Sequence, residues 1–542
     1  MDRATLADEH VSECHAPDGG GHHARPAWLL LGLLSALYLL SGKGFSEILD
    51  AEGYYLITKA IVEEGQVGIK PELSSAVLRG NEPTRDGRAF LHYGLGYPVV
   101  MVPFYVAGRA AGELAARVDP RFERFERFFP RAATGTALAF ITALTAVALY
   151  YLLLQLGLTV HWAVVGALLF GLGTYAWPYS KIGFYEPFLS LCQMLALVWA
   201  VNYKVSLRAG WLVLAGFAAG WGIAAKPSLG LLLPPLVGYV WWAARGQDPA
   251  GRGRRVLVAA AGLAAGLLFW AGVMLWYNAA RSGVVTDIGY GPGNYKPVID
   301  IRHILTALYG NALSTGRGFF LYSPLTVLFV LGVGRMWRRN RAELAVMSAL
   351  IVLNAGYFAT RGNWATMRPW GPRYLVVLAP LLVALATVGI AWLWRRRAAR
   401  WPIRAVVALS VCVQLLAIAM PFGTWLDRVK QETGTGFSAV LQPRYCPLWG
   451  QMVLLSGARL RPIEASGANI EHGEPTEQFK TELRQTPDFW FAYMYRLGLS
   501  PGLLLCGMAG LGALVVAFAV MLRRQLCPEG SAALGEQATG SA

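Results

Sequence analysis

The residues that could do chemistry are few and stand apart from a mostly apolar chain. In ILDAEGYYLITKA, residues 48–60, the carboxylates Asp50 and Glu52 follow closely on a hydrophobic run from Trp28 to Leu40. Asp50 suits a helix N-cap and Glu52 a first turn, where the dipole favours an acid. The catalytic alternative is that one of them is a general base at the membrane surface, taking a proton from an acceptor hydroxyl. Partial burial near lipid would raise its pKa and make it a better base. An i, i+2 pair on a helix points in two directions, so at most one acid would enter a site while the other caps.

Further polar residues recur at the ends of apolar runs. His92, in AFLHYGLGYPVVMVPFY, belongs either to an interfacial His–Tyr belt or to a lipid-phosphate contact. Glu186, in WPYSKIGFYEPF, either pairs with Lys181 or touches a sugar hydroxyl; Pro187 in a first helical turn fits both. Lys226, in GIAAKPSLG, would cost about 2.5–3.5 kcal/mol at mid-depth of a bilayer. It therefore sits at an interface, either snorkelling or binding phosphate. Arg317 stands between Gly316 and Gly318, which would let the backbone approach a ligand closely. Arg361, Arg368 and Arg373 lie in TRGNWATMRPWGPRYLVVLAP, and arginine suits bidentate phosphate recognition. An acid to activate an acceptor, with cations to hold a phosphate, is the inventory for moving a sugar off an anionic lipid carrier.

The elements that must position these residues are membrane helices. The chain has 542 residues, is 55% hydrophobic and only 15% charged, and has a mean hydropathy of +0.42. A soluble domain could not bury that much apolar surface. The net charge of +16 lies in short clusters between apolar runs, a cytoplasmic-loop pattern that argues against a nucleic-acid partner. Six scattered cysteines show no metal-type spacing; no metal site, disulfide framework or cofactor is expected. Residues 1–26, with four histidines and mixed charge, read as a disordered tail.

Spans of about 20 apolar residues are expected at 27–45, 133–155, 161–178, 187–203, 211–226, 228–244, 256–277, 319–337, 344–360, 374–394, 405–421 and 500–522. Alternation puts Arg252, Arg254 and Arg255, Arg335 to Arg341, Arg395 to Arg404, and Arg523 and Arg524 on one side, the cytoplasmic side. Segment 94–115 carries Pro98 and Pro103 and is expected to be a broken, juxtamembrane or re-entrant element on the outer face. The fold expected is thus an all-α integral membrane protein of about twelve (11–13) transmembrane helices, with both termini inside. Its organisation would be a tail (1–26), a transmembrane domain (27–421) with a first outer loop (46–132), an outer-face region (422–499), a last helix (500–522) and a tail (523–542). A second outer loop spans 278–318, and the third, 422–499, has few helix or strand signals and should lie over the cavity.

In the order and placement of its short motifs the chain resembles the GT-C glycosyltransferases, which include the protein O-mannosyltransferases and the lipid A aminoarabinose transferases. The family opens its first outer loop with an Asp-Glu pair and aromatics; Asp50 to Leu56, DAEGYYL with Tyr54 within it, is the matching text. His92 to Pro98 is similar to the family's re-entry motif, with His92 where a lysine is usual. Glu186 matches an acid before a span, Gly318–Pro324 a G-x-x-x-Y-x-P turn, and Gly371–Leu375 a GPRYL span start. The resemblance covers about 45–395 and implies a GT-C-like outer-face cavity with juxtamembrane helices. It implies Asp50 or Glu52 as base, His92 and Arg373 at the lipid phosphate, and Glu186 and Tyr54 at the sugar or acceptor; Lys226 and Arg317, read from their own surroundings, join the phosphate group. Here the pair has become Asp-Ala-Glu: if Glu52 aligns with the family's Glu, Ala51 takes the place of the Asp and Asp50 must reach instead.

The expected function is an inverting membrane glycosyltransferase, passing a hexose or pentose from a polyprenyl-phosphate donor to a glycan, lipid or protein acceptor. The Gly-, Ala- and Arg-rich composition points to the inner membrane of a bacterium, with the site facing outward. The alternatives are a transporter of polyprenol-linked sugars, which would carry charges at mid-depth of several spans, and a non-catalytic scaffold.

Overall fold

The computed structural model describes residues 20–45, 48–70, 84–118, 123, 128–246, 251–287, 289, 296–365, 370–434, 439–463, 470–471, 474–475 and 481–526. Arg368 and most of the two tails therefore lie outside the described residues. The chain is a helical bundle: α1 (Gly20–Leu40), α2 (Leu49–Glu64), α3 (Gly96–Val118), α4 (Phe128–Gln155), α5 (Val160–Gly173), α6 (Ala176–Ile182), α7 (Glu186–Ser206), α8 (Gly210–Ala225), α9 (Leu233–Arg245) and α10 (Arg252–Ser282). Then come α11 (Ile301–Leu313), α12 (Phe319–Tyr322), α13 (Val330–Arg339), α14 (Arg341–Ala359), α15 (Ala379–Leu393), α16 (Arg397–Ala419), α17 (Phe422–Thr433), α18 (Pro447–Ser456), α19 (Trp490–Arg496) and α20 (Pro501–Leu526). Two antiparallel pairs of two-residue strands are the only strands among the described residues.

Among the described residues nine helical stretches are long and apolar enough to cross a membrane, or ten if α5 and α6, bent by 56° at Thr174, form one span. This is a multi-pass membrane protein. The expected count of twelve is not reproduced as twelve unbroken helices, for a local reason. Three of the breaks fall at prolines: Lys226-Pro227, Ser323-Pro324 and Gly371-Pro372 each precede a six-residue 3-10 turn. Proline disfavours the helical region for the residue before it, and Lys226 is extended (φ −151°, ψ 119°). In a membrane the freed backbone groups need internal partners, and buried polar side chains supply them. Ser410 Oγ accepts from the Leu325 amide at 2.6 Å, Gln414 donates to the Tyr322 carbonyl at 2.8 Å, and Gln193 donates to the Val377 carbonyl at 2.8 Å.

The two ends of the bundle differ in charge. At one end the Arg255 guanidinium donates to the Ala244 carbonyl, Asn340 to the Leu156 carbonyl and Arg400 to the Trp394 carbonyl. There buried Glu343 accepts from Lys204 and Tyr239, both at 2.7 Å, tying α14 to α7 and α9. All four arginine clusters read from the sequence belong to helix termini of this end. The opposite end, here the site end, holds Asp50, Glu186, Lys226 and Arg373.

Between the ends the helices meet through small residues. A Cβ on Gly266 would lie 2.1 Å from the Val213 carbonyl oxygen, and one on Gly332 would lie 1.9 Å from that of Leu385. Any side chain there would force α8 from α10, or α13 from α15. Close backbone approach of this kind drives helix association where lipid offers no hydrophobic gain.

Segment 94–115 is not broken, contrary to expectation. It lies in α3, a continuous 23-residue helix. Pro98 falls in its first turn, where no amide partner is needed, and Pro103 is accommodated within the helix. Its first turn packs on the last turn of α8, and Gly108 packs on Phe129, Pro130 and Ala133 at the start of α4. Between these contacts Phe104 packs against Phe140 at 5.7 Å, well inside α4, so α3 borders the site end and also runs along α4, and it is one of the helices long and apolar enough to span a membrane. Helix α2 crosses it, with the Thr58 hydroxyl donating to the Pro98 carbonyl at 3.1 Å.

The third loop is more regular than its sequence suggests, since it contains α17, α18 and α19. It is anchored on the site end by Asp488. This carboxylate is buried between Lys43 after α1 (3.2 Å) and Lys181 of α6 (3.1 Å), and accepts from the Tyr493 hydroxyl at 3.0 Å. The Asp488 amide donates to the Ala419 carbonyl, and the Trp490 amide to that of Gly42. Burial pushes the Asp488 carboxyl up, but Lys181 and Lys43 outweigh it and lower it to about 2, against 3.8 in the unfolded chain. A lowered folded value gives stability that is present in full above pH 4 and lost as pH falls toward 2. Asp488→Asn should therefore lower the unfolding temperature at pH 7 and flatten its decline below pH 4; an unchanged acid limb in scanning calorimetry would contradict the anchor.

Candidate active site

Asp50 lies in the first turn of α2 but does not cap it. The N-cap position is Ile48, with no side-chain cap bond. The Asp50 carboxylate instead turns into the bundle: Oδ1 accepts from the Tyr93 hydroxyl at 2.9 Å, and Oδ2 lies 2.8 Å from Arg373 Nη2. The capping alternative is thus excluded. So is the expected rise in pKa: burial does push the Asp50 carboxyl up, but Arg373, Tyr93 and nearby His92 outweigh it and hold it below the usual carboxylate range. A base of this kind is ionised throughout the neutral range, and its strength would depend on what Arg373 is doing.

Arg373 is held from several sides. Its Nε donates to Glu186 Oε1 at 2.6 Å, and its guanidinium lies 3.6 Å over the Phe184 ring. Local sequence explains both partners. Gly371 takes a left-handed conformation (φ 68°), and Pro372 then opens the turn that starts with Arg373. Gly183 (φ 99°) ends α6, and Pro187 starts α7 with Glu186 as its first residue. Glu186 is fully buried. It does not pair with Lys181, which goes to Asp488.

Lys226 completes the group. Its Nζ is 3.5 Å from Glu186 Oε1 and sits 4.1 Å over the Tyr374 ring. It is buried, so the snorkelling alternative is excluded. The break at Lys226-Pro227 is what turns this side chain inward. The Lys226–Glu186 attraction and the cation–π contact offset its desolvation.

Glu186 Oε2 and the Tyr54 hydroxyl, like the nearby Tyr179 hydroxyl, are buried at this site with no hydrogen-bond partner among the described residues. Tyr54 is on the same face of α2 as Asp50, four residues on. Its ring makes edge contacts with Tyr93 (4.7 Å), Tyr97 and Tyr185 (both 5.2 Å). Buried polar atoms are almost always satisfied, so these two are natural contacts for hydroxyl groups of a substrate. His92 is half-buried, with its ring 4.1 Å from that of Tyr93.

The remaining candidates lie apart. Glu52 points away from Asp50 and forms a two-point pair with Arg131 of α4, at 2.5 and 2.9 Å. It lines a crevice with Ala51, Tyr54, Tyr55, Tyr97, Met101 and Lys181, which borders the Asp50 site through Tyr54 and Tyr97. Arg317 is buried and donates to the Trp364 carbonyl, among Tyr175, Tyr179, Tyr322 and Tyr374. Its flanking glycines do not make room for a ligand. A Cβ on Gly316 would meet the Val440 carbonyl at 2.5 Å, and one on Gly318 the Ser314 carbonyl at 2.6 Å, so the chain's own backbone fills that space. Tyr93, Phe184, Tyr185, Tyr374 and Arg131 were not singled out from the sequence. For the aromatics the signal was nearness in sequence, since Tyr93 follows His92, Phe184 and Tyr185 precede Glu186 and Tyr374 follows Arg373; Arg131 had none. Among the described residues no group of acids, histidines and cysteines could hold a metal ion.

No protein-family model matches the chain, and no curated protein matches it. Among solved structures it is similar to ArnT from Cupriavidus metallidurans bound to undecaprenyl phosphate: 14% identity, 92% of this chain and 77% of that one, TM-score 0.47. It is also similar to the apo state of that protein: 16% identity, 93% and 78% of the chains, TM-score 0.47. A third similar structure is the archaeal oligosaccharyltransferase AglB from Archaeoglobus fulgidus, with an inhibitory peptide and a dolichol-phosphate: 13% identity, 72% and 54% of the chains, TM-score 0.39. The assignments below rest on this chain's own residues.

The two ion pairs should differ in weight. Arg131 is 41% exposed, and Arg131→Met should cost about 1 kcal/mol or less, as exposed pairs do. Arg373→Met leaves buried Glu186 and part-buried Asp50 facing each other without their shared cation and should cost about 3–5 kcal/mol. Thermal unfolding of both variants in nanodiscs checks the ranking; equal losses would contradict it.

Proposed function

We propose that this chain is an integral-membrane glycosyltransferase, which takes a sugar from a polyprenyl-phosphate carrier and passes it to a hydroxyl of a lipid, glycan or protein. The observation that carries the reading is the meeting of Asp50, Glu186, Lys226 and Arg373, from four separate segments, at the end of the bundle opposite the arginine clusters. By the positive-inside rule that end faces the exterior, in a bacterium the periplasm.

Each group has a part in a one-step displacement. The Asp50 carboxylate takes the proton of the acceptor hydroxyl as its oxygen attacks the anomeric carbon. The bond from that carbon to the phosphate oxygen breaks, and its electron pair leaves with the phosphate. Arg373 and Lys226 stabilise the charge that develops there. In-line attack inverts the sugar carbon. Glu186 Oε2 and the Tyr54 hydroxyl bind sugar or acceptor hydroxyls, and His92, half-buried beside Tyr93, contacts the phosphate. Arg317, held by the Trp364 carbonyl, acts through Tyr179 and Tyr374, which interact electrostatically with it and with the Glu186–Arg373 pair. No step requires a cofactor. The transporter alternative is disfavoured because these charges gather at one end of the bundle rather than at mid-depth of several spans.

The test is release of free polyprenyl phosphate from a panel of polyprenyl-phosphate sugars, by purified protein in nanodiscs with candidate acceptors. Asp50→Asn should lower turnover by about 10²–10⁴-fold, the usual worth of a general base. Glu52→Gln should keep turnover within a few-fold of wild type. The reverse ranking would move the base to Glu52, and release that persists in both would remove it from this helix.

A further inference from the structure

The four charged side chains of the site sum to zero: Asp50 and Glu186 carry −2, Arg373 and Lys226 carry +2. Each cation is already engaged. Arg373 holds a carboxylate on Nε and another on Nη2 and is covered by Phe184. Lys226 faces Glu186 and is covered by Tyr374 at 4.1 Å and Tyr185 at 5.2 Å. A neutral cluster offers little net attraction to an anion, so a phosphate needs one carboxylate to give up its cation.

The two carboxylates are not equally able to move. Glu186 has no exposed surface and is fixed in the first turn of α7. The Asp50 side chain is 21% exposed, in the first turn of α2. Asp50 also has a second partner that would hold it near its place: the Tyr93 hydroxyl on Oδ1. Tyr93 is itself fixed, because the Tyr277 hydroxyl of α10 donates to its carbonyl at 3.1 Å.

We propose that Arg373 is a latch on the base: the donor phosphate displaces Asp50 from Arg373 Nη2, so Asp50 becomes free to accept the acceptor's proton only when donor is bound. Tyr93 is the positioning residue that keeps the released carboxylate in the site. The sequence of events is an exchange of partners. A phosphate oxygen takes the Nη2 hydrogens, Asp50 Oδ2 loses its cation and has a lone pair freed to accept the acceptor's proton, and no covalent bond changes. The consequences are an ordered reaction with donor first, and a base that is silent toward acceptors and water while the donor site is empty. This inference rests on the reading that the ligand is a polyprenyl phosphate, and it assigns to Arg373 the coupling between the two substrates.

Competition of this kind is reciprocal: if phosphate weakens the Arg373–Asp50 pair, the pair weakens phosphate binding by the same factor. The experiment is binding of radiolabelled undecaprenyl phosphate, without sugar or acceptor, to purified protein in nanodiscs. Asp50→Asn removes the competing charge with little change of shape and should lower the Kd about tenfold, within the range usual for coupled sites. Asp50→Ser, a smaller side chain, should do the same and guards against one variant's misfolding, with thermal unfolding as the check. Arg373→Met should bind far more weakly than either. An unchanged or raised Kd in both folded Asp50 variants, with wild type binding normally, overturns the latch and leaves the donor reading standing. No saturable binding by any of the proteins overturns the donor reading and the latch with it.

Discussion

Arg373 binds two carboxylates that arrive from opposite parts of the chain, and the rest of the site depends on this one bridge. Asp50 comes from the helix after the first span, Glu186 from the start of α7, and Arg373 from the start of the span that ends at Leu393. Without the guanidinium the two acids would repel each other in a buried place. Lys226 alone, 3.5 Å from Glu186, could not compensate both. The stacked rings of Phe184, Tyr185 and Tyr374 fix the cations' positions and keep water away from their faces. What results is a compact set of opposed charges whose partners can be exchanged by an incoming anion, rather than a permanent structural salt bridge.

The bundle makes this possible by breaking its own helices at one end. A straight span would carry Lys226 or Arg373 on a helix flank, where each charge would meet lipid or a neighbouring helix. Proline beside each residue ends the regular hydrogen-bond ladder and turns the side chain toward the centre. The cost is unsatisfied backbone in an apolar medium. Buried serines and glutamines from neighbouring spans, such as Ser410, Gln414 and Gln193, meet that cost. These polar residues inside the spans therefore serve the backbone. The third loop is tied to the same end through Asp488. Because one of its two lysine partners, Lys181, also lines the crevice beside Glu52, the anchor of the loop and the wall of the site share a residue.

Much of this was legible in the sequence, for reasons that can be named. Apolar length revealed most spans, and arginine clusters revealed which ends belong together, because both signals are set by the bilayer rather than by tertiary detail. Isolated charges flanked by proline or glycine identified Glu186, Lys226 and Arg373, which the structure brings together with Asp50. The spacing of Asp50 and Glu52 correctly implied that only one could point inward, but local propensity favoured capping for Asp50. That preference lost to the pull of Arg373, more than three hundred residues away, which no local rule can register. The same limit hid Arg131 as the partner of Glu52 and Asp488 as that of Lys181. Arg317 was over-read: glycines on both sides suggested ligand access, whereas they admit the chain's own backbone at Val440 and Ser314. Segment 94–115 was under-read, because prolines that would break an isolated helix sit where α3 tolerates them.

The most direct measurement is a structure of the Asp50→Asn protein in nanodiscs with undecaprenyl phosphate bound, determined by electron cryomicroscopy beside the wild-type complex. The account predicts phosphate density in contact with Arg373 and Lys226 in both, with residue 50 turned from Arg373 and still within reach of Tyr93. Phosphate seated elsewhere, with Arg373 still bridging Asp50 and Glu186 in the wild-type complex, would contradict it.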